Sequence, residues 1–463
     1  MKKAAVMLLC LALLLTAAVC QKTHEKPEAV NEEKDSGTVQ PLTVYYISQS
    51  YFQGTAYMMG WYQRQEGAYP IDSTVFTSAE ELQAALEEGF PDILLLDKVS
   101  SSVLVDPYEW IREGKIAGLS IYMEQDENLD SENYIRGTLE AGRFGGEQYI
   151  LPLSVSSSYL LINEAERETG SLSALGGEFS VQQLMEVLLQ DAEQHRGNET
   201  YFTHLPYYMT ISNWNQWLYE MLEQTGALHV DRDSRTVQVD EALFEQTVRY
   251  FRSVFEDASA LYSGETDLSS GSMADIEAFT TVMLSGNNAA FMARYMSSSC
   301  HQLMDQDMYL VPYELAGGGY SVNVNVFGMV GADSDQPEAA YQVLRTVMDM
   351  PCSSWETIGA DDAFAQMSPV RVIEALGLVD AYAQLEGGNF RIAGSLVQRE
   401  KLTEELAETL RSMIQENRQA FLVDAGTCQV MTEYLGPYVM GETEDLSGTA
   451  QQTAAAIEAG MKE

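Results

Sequence analysis

The alternation of strand and helix signals downstream of Pro41 predicts an α/β protein built on a parallel sheet covered on both faces. Two observations bound that prediction. Of the 463 residues, 46% are hydrophobic and 10% aromatic, enough apolar surface to offset chain entropy, so the body is globular. At roughly 100–200 residues per domain, the length suggests two or three core-forming units.

The chain opens with Lys2-Lys3, an almost unbroken apolar run over residues 4–19, and then Cys20-Gln21. A charged start, an apolar stretch too short for a comfortable span and small residues at its end form a secretory signal, so residues 1–19 are expected to be a signal peptide and the mature protein extracytoplasmic. Cys20 stands where a bacterial lipoprotein signal places the cysteine that becomes the lipidated first residue, although Val19 precedes it where Gly, Ala or Ser is usual. Ordinary cleavage near Ala18 is the alternative, and mass spectrometry of the mature N-terminus separates the two. Lipidation, palmitate included, would hold the protein on the outer face of the cell membrane. Residues 21–40 carry eight charges, one proline and no aromatic, too little apolar surface to form a core. Residues 20–40 therefore read as a disordered tether, spanning roughly 25 Å by flexible-chain scaling. No later run reaches the length of a membrane-spanning helix.

Within the body, Leu42–Ile47 is a short β-type run, and residues 55–65 carry Tyr57, Trp61 and Tyr62 at helical spacing, as packing side chains. Residues 73–76 read as strand. Ser78 stands three residues before Glu81, the capping-box spacing, ahead of a stripe of Leu82, Ala85 and Leu86. Residues 91–97 are a buried strand, apolar between polar ends. A second unit begins near Ser154. Residues 180–194 and 240–255 read as amphipathic helices, and residues 230–237 as strand, polar turn and strand. Residues 288–296, 309–312 and 322–330 are further strands, the last preceded by Gly317-Gly318-Gly319. Residues 337–350, 402–417 and 447–461 are helices.

Charge and cysteine content exclude several classes. With 26 Lys+Arg against 69 Asp+Glu, the formal net charge is −43, which argues against binding nucleic acid or an anionic membrane surface through a basic patch. Cys300, Cys352 and Cys428 cannot all pair, and buried free thiols are the default reading, with one disulfide open. No two of His24, His195, His204, His229 and His301 are spaced to share a helical face, so no zinc site is expected. The run from Asp126 through Asn128 and Asp130 to Glu132 imitates a calcium loop, but Ser131 and Gly137 stand where glycine and a carboxylate are needed. Walker, dinucleotide-binding and nucleophile-elbow motifs are missing. Catalysis, cofactor and metal therefore have no positive signal, and a single chain working as a monomer is the expectation.

From residue 128 to 163 the sequence resembles the extracellular solute-binding proteins of carbohydrate ABC importers, of the maltose-binding type. The resemblance rests on Leu129-Asp130-Ser131-Glu132-Asn133-Tyr134, Leu139-Glu140-Ala141-Gly142, Gly146-Glu147-Gln148-Tyr149-Ile150-Leu151-Pro152-Leu153 and Leu160-Leu161-Ile162-Asn163. Residues 226–240, 285–292 and 334–340 resemble the family's hairpin, "G-K-A-A-M" strand and "S-x-x-P-E-A-A" helix start, in order and spacing. The tail, Tyr438-Val439-Met440-Gly441 and residues 446–463, resembles its terminal helix. Asn288 and Tyr295 stand where the family usually has Lys and Trp.

The resemblance implies a two-lobe α/β fold, the type II periplasmic-binding fold, with an interlobe ligand cleft and a helical C-terminal segment. Lobe 1 would comprise 41–153 plus 313–355, and lobe 2 158–311 plus 356–463. It also implies capture of a sugar or oligosaccharide and delivery to ABC permease subunits. In open α/β sheets ligands sit beyond the carboxyl ends of the strands, which directs attention to Ser48, Gln49 and Tyr51 after the first strand. Asp97, Lys98 and Ser100 follow the third, and Ser154 and Ser156 lie at the crossover. Asn213, Trp214, Trp217, Arg294 and Tyr295 stand on the second lobe, and Asn323 and Asn325 alternate along the strand after the chain's return. Amides, hydroxyls and rings suit sugars, whose hydroxyls lie in the ring plane and whose C–H faces stack on aromatic platforms, here Trp214 and Tyr295. The alternatives are a cationic ligand such as a polyamine, a secreted glycoside hydrolase with two carboxyls about 5–10 Å apart, and a bare lipoprotein adhesin.

Overall fold

The computed structural model describes residues 40–47, 54–97, 106–157, 159–163, 168, 170–175, 179–195, 214–262, 290–293, 308–315, 317–354, 368–384, 389–392, 395–398 and 404–462. The Cys20 reading, the signal peptide and nearly all of the tether lie outside them, as does Cys300. Residues 41–463 form one compact unit.

The chain enters through β1 (Leu42–Ile47), α1 (Gly54–Tyr62), β2 (Ile71–Phe76), α2 (Ala79–Glu88) and β3 (Ile93–Asp97). Every residue of β3 is buried, as its unbroken apolar run requires. Tyr62 is buried, its hydroxyl accepting from Tyr69 N at 2.8 Å. Ser78 caps α2, accepting from Glu81 N at 3.2 Å, while the Glu81 carboxylate turns back to Thr77 N at 3.1 Å, one residue earlier than a capping box places it. Helices α3 (Pro107–Arg112) and α4 (Ser120–Gln125) follow. The acidic run after α4 serves the fold: Asp126 accepts from Arg345 Nε at 3.0 Å and Tyr341 Oη at 3.2 Å, and Asp130 caps the next turn by accepting from Glu132 N at 3.0 Å.

The hairpin β4 (Arg143–Phe144) and β5 (Glu147–Gln148) then leads into β6 (Leu151–Ser157). Gln148 Nε2 donates to Leu139 O at 2.9 Å and Ile150 O at 2.6 Å, closing the chain over Gly142. A Cβ at Gly142 would lie 1.9 Å from Ile150 O, so only glycine fits there.

After β6 the chain leaves the first sheet at once for β7 (Tyr159–Asn163) of a second. This second unit holds α5 (Val181–His195), α6 (Trp214–Thr225), the hairpin β8 (Leu228–Asp231) and β9 (Thr236–Val239), and α7 (Glu241–Tyr262). It is completed by β10 (Ala290–Ala293) and β11 (Met308–Val311), which flank β7 in the antiparallel order β10-β7-β11. The return strand β12 (Tyr320–Val330) re-enters the first sheet, followed by α8 (Pro337–Met348). Pro337 stands at the first helical position, and Leu344 of α8 lies over Gly328, where a Cβ would meet its Cδ2 at 2.4 Å.

The remaining chain adds β13 (Ser368–Pro369), α9 (Val372–Gln384), the hairpin β14 (Asn389–Ile392) and β15 (Ser395–Gln398), α10 (Glu404–Gln415), β16 (Asn417–Phe421), α11 (Ala425–Val439) and α12 (Thr449–Lys462). Its role is divided. Strands β13 and β16 join the first sheet, whose order is β13-β6-β12-β3-β1-β2 with β16 also on β12, while α11 packs on α6 and α7 and α12 on β9.

The first sheet is mixed, which corrects the expectation of a purely parallel one. β1 pairs in parallel with β2 and β3, but β12 runs antiparallel to β3 and β6. A strand that arrives from another unit does not come through a helical crossover, so nothing obliges it to run with the others. Cys428 is buried and Cys352 half-buried.

Candidate functional site

Because β3 and β6 both oppose β12, they run the same way, and their carboxyl ends share the sheet edge that faces the passage to the second unit. Asp97 ends β3 opposite Val326. Ser156 lies opposite Asn323, and Ser154 opposite Val326. The register skips Asn325, a bulge of the kind that re-aims a side chain, and Ser156 Oγ donates to Asn325 Oδ1 at 3.2 Å. All five polar side chains are buried, and Ser154 Oγ has no hydrogen-bond partner among the described residues. Thr55 Oγ1, donating to Ile47 O at 2.7 Å, ties the end of β1 to the first turn of α1 at the same edge.

The structure therefore brings together Asp97, Ser154, Ser156, Asn323 and Asn325. Trp214 and Trp217 stand elsewhere, on α6. Trp214 is 5% exposed and packs its ring on Phe251 and Phe255 of α7, each with centroids 6.3 Å away, with Gly436 of α11 beside it. Trp217 is buried as well. Ser48, Gln49, Tyr51, Lys98, Ser100, Asn213, Arg294 and Tyr295 lie outside the described residues.

A second concentration of chemistry surrounds a groove of about 470 Å³ between residues 136–143, α6, the β8–β9 turn and β16. Beside it Arg232, its side chain 12% exposed, has its guanidinium 4.7 Å from the Tyr108 ring centroid, a 3.2 Å hydrogen bond to Tyr219 Oη, and an ion pair to Asp424. Asp424 also caps α11, accepting from Thr427 N at 2.7 Å. Glu223 accepts from Tyr219 Oη at 3.2 Å and from Val230 N at 2.9 Å and faces His229 at 3.6 Å, a hydrogen-bonding partner that raises the imidazole above its usual value. The turn carrying Arg232 is clamped from the β4–β5 hairpin. Gly145 N donates to Arg232 O at 3.2 Å, Gly146 N to Asp233 Oδ1 at 3.0 Å, and Arg235 lies 4.6 Å over the Phe144 ring. Burial, and then the nearby Asp424 carboxylate, pushes Asp106 at the head of α3 up to about 6. The hairpin that carries Arg232 was read from the sequence without a role for its turn; Asp106-Pro107, an N-cap followed by proline at the first helical position, is a further local signal.

No protein family matches the sequence, and neither does any curated protein. Solved structures do match in shape over nearly the whole chain. An ABC substrate-binding protein of Listeria monocytogenes in complex with cycloalternan superposes with a TM-score of 0.57 at 14% identity, over 91% of this chain and 99% of that one. The sugar-binding protein MalE of Xanthomonas citri gives 0.56 at 13% identity, over 91% and 98%. The galacto-N-biose-/lacto-N-biose I-binding protein of Bifidobacterium longum, with lacto-N-biose bound, gives 0.54 at 13%, over 92% and 98%. The fold is that of the two-lobe ABC solute-binding proteins. The chain passes between the two sheets where β6 leads into β7 and where β11 leads back to β12, and the five polar residues on β3, β6 and β12 lie beside that passage.

Proposed function

We propose that the chain is an extracytoplasmic solute-binding protein that captures a sugar or oligosaccharide between its lobes and delivers it to an ABC permease. One observation carries the reading: a buried set of one carboxylate, two hydroxyls and two amides at the carboxyl edge of the first sheet, beside the strand-to-strand crossing into the second. Planar amides and hydroxyls match the in-plane hydroxyls of a sugar, and Ser154 Oγ offers an unused donor and acceptor. To this site we assign Asp97, Ser154, Ser156, Asn323 and Asn325; the further candidates Ser48, Gln49, Tyr51, Ser100, Asn213, Arg294 and Tyr295 lie outside the described residues. The binding of oligosaccharides by proteins of the same fold supports the ligand class. A polyamine site calls for two or more converging carboxylates, and the described set holds Asp97 alone.

Hinge closure of the lobes over the ligand is the working step, and lipid on Cys20 would keep the protein beside its permease. Isothermal calorimetry against a panel of mono- and oligosaccharides tests the reading. A saturable response to at least one sugar, weakened by Asn325→Ala, is expected; flat responses across the panel would overturn it. An acylated Cys20 in the mass spectrum of the mature protein is the matching test of the anchor.

A further inference from the structure

Arg232 stands, largely screened from water, where three separate parts of the chain meet. Its turn belongs to the second lobe, fixed on α6 through Tyr219 and Glu223. The Tyr108 ring beneath it belongs to α3 of the first lobe, and Tyr108 in turn packs on Phe144 with ring centroids 5.5 Å apart. The carboxylate it pairs with, Asp424, follows β16 and starts α11, the helix that returns to the second lobe. A second carboxylate crowds the same place. A carbon at the Cβ position of Gly426 would meet Asp106 Oδ2 at 2.7 Å and Asp424 Oδ1 at 3.4 Å, so both oxygens lie within contact of one point. Asp106 is anchored there by accepting from Tyr108 N at 2.9 Å, and its other oxygen faces Arg112 at 3.7 Å.

Two carboxylates thus share the field of Arg232, with Arg112 at the outer side and the phenols of Tyr108 and Tyr219 between the elements. Like charges largely removed from water and gathered about one point favour taking up one proton. Asp424 is already committed to Arg232 and to the first turn of α11, whereas Asp106 has only its cap and the longer contact to Arg112. The proton therefore goes to Asp106, in line with the upward push described above.

We propose that Asp106, Arg232 and Asp424 form a proton-responsive joint between the lobes, tight when Asp106 is protonated and loosened when it ionises. The inference rests on the solute-binding reading, because it assigns to this joint control of the equilibrium between open and closed lobes. The sign follows from linkage. A carboxylate raised from its ordinary value contributes stability that is whole below that ordinary value and lost as pH rises through the raised one. The joint weakens as pH climbs through about 6.

The test uses the full ligand-free chain, its Asp106→Asn variant and a His229→Gln control, followed by thermal unfolding and hydrogen exchange from pH 5 to 7.5. Asparagine caps a helix as well as aspartate, so D106N removes the charge and keeps the α3 cap. Wild type should lose roughly 1–2 °C of melting temperature beyond any change in D106N over that range. Exchange in the 228–239 hairpin, corrected for intrinsic rate, should rise about tenfold in wild type and stay level in D106N, one pKa unit of coupling being a factor of ten. Three results would overturn the proposal: the trend persisting in D106N, vanishing in H229Q while D106N retains it, or global melting shifting with no change in the hairpin. If D106N folds poorly, wild-type hairpin exchange against pH decides, and a level profile sinks the idea. None of these readouts involves a sugar, so a failed sugar panel and a failed joint remain distinguishable.

Discussion

Two buried polar regions of this molecule are built on opposite principles. At the carboxyl edge of the first sheet, serines and asparagines gather around one aspartate, and Ser154 keeps an unused hydroxyl. At the joint between the lobes, Arg232, Asp106, Asp424, Tyr108 and Tyr219 use charge, and most of it is paired within the protein. In a chain of net charge −43, the contrast says where charge was admitted to the interior. It was admitted where it ties elements together, and it is sparse at the sheet edge to which we assign the ligand. A neutral polar site can lend its hydrogen bonds to a guest, whereas a buried ion network stakes the fold on staying closed.

The sharpest way to break that contrast is to remove the cation. Arg232→Met leaves Asp424 buried without its partner, and breaking such a pair costs about 3–5 kcal/mol. Urea denaturation of the full chain should show that loss. A cost under about 1 kcal/mol, the usual worth of an exposed pair, would place Arg232 on the surface side of the comparison.

Trp214→Ala comes next and asks whether α6 belongs to the ligand site or to packing. With its ring between α7 and α11, truncation opens a cavity worth about 3 kcal/mol, the low end for tryptophan, and affinity per folded molecule should stay unchanged. A fall in sugar affinity with stability intact would restore Trp214 as a stacking platform.

Ser156→Ala probes the neutral region itself. Asn325 Oδ1 loses one donor, at a cost of about 1 kcal/mol in stability. The same change should weaken sugar binding by roughly tenfold, since about 1.4 kcal/mol separates decades of affinity. Unaltered calorimetric affinity would leave Ser156 as a strand hydrogen bond and nothing more.

What could be read in advance follows the same division. The β1-α1-β2-α2-β3 succession, the Ser78 cap and the Pro337 helix start are written in local periodicity and end signals, and the structure has each of them. The antiparallel course of β12 was not legible, because strand direction depends on where a chain comes from, which no window of residues records. Asp97 was singled out by a rule about strand ends, Ser154 and Ser156 by their place at the crossover, and Asn323 and Asn325 by alternation along the return strand; the structure puts the five on neighbouring strands, and sugar binding by them is the proposal above. Arg232 and Asp424 escaped, being 192 positions apart in the chain, each looking like an ordinary turn residue. A polar residue in a turn signals solvent unless a distant partner removes it from solvent, and sequence spacing carries no trace of such partners.

The smallest effect falls on the edge of the joint, where the pairing is half open to water. His229 faces Glu223, whose hydrogen bond holds the imidazole above its usual value of about 6.5. A histidine raised by a partner contributes stability that is complete below its unfolded value and disappears as pH rises through the folded one, so the contribution is present in mild acid and absent in alkali. Half of the His229 side chain is in solvent, 52% against 2% for Glu223, and screening reduces such a pair to about 0.5 kcal/mol or less. His229→Gln should therefore lower stability by a few tenths of a kcal/mol at pH 5.5 and by nothing measurable at pH 9, as read by urea midpoints at the two values. An effect of equal size at both would assign His229 to packing instead of charge. An effect several-fold larger, confined to acid, would mean that Glu223 and His229 belong inside the joint with Arg232, and that the boundary between its paired interior and its wet rim lies further out than the geometry puts it.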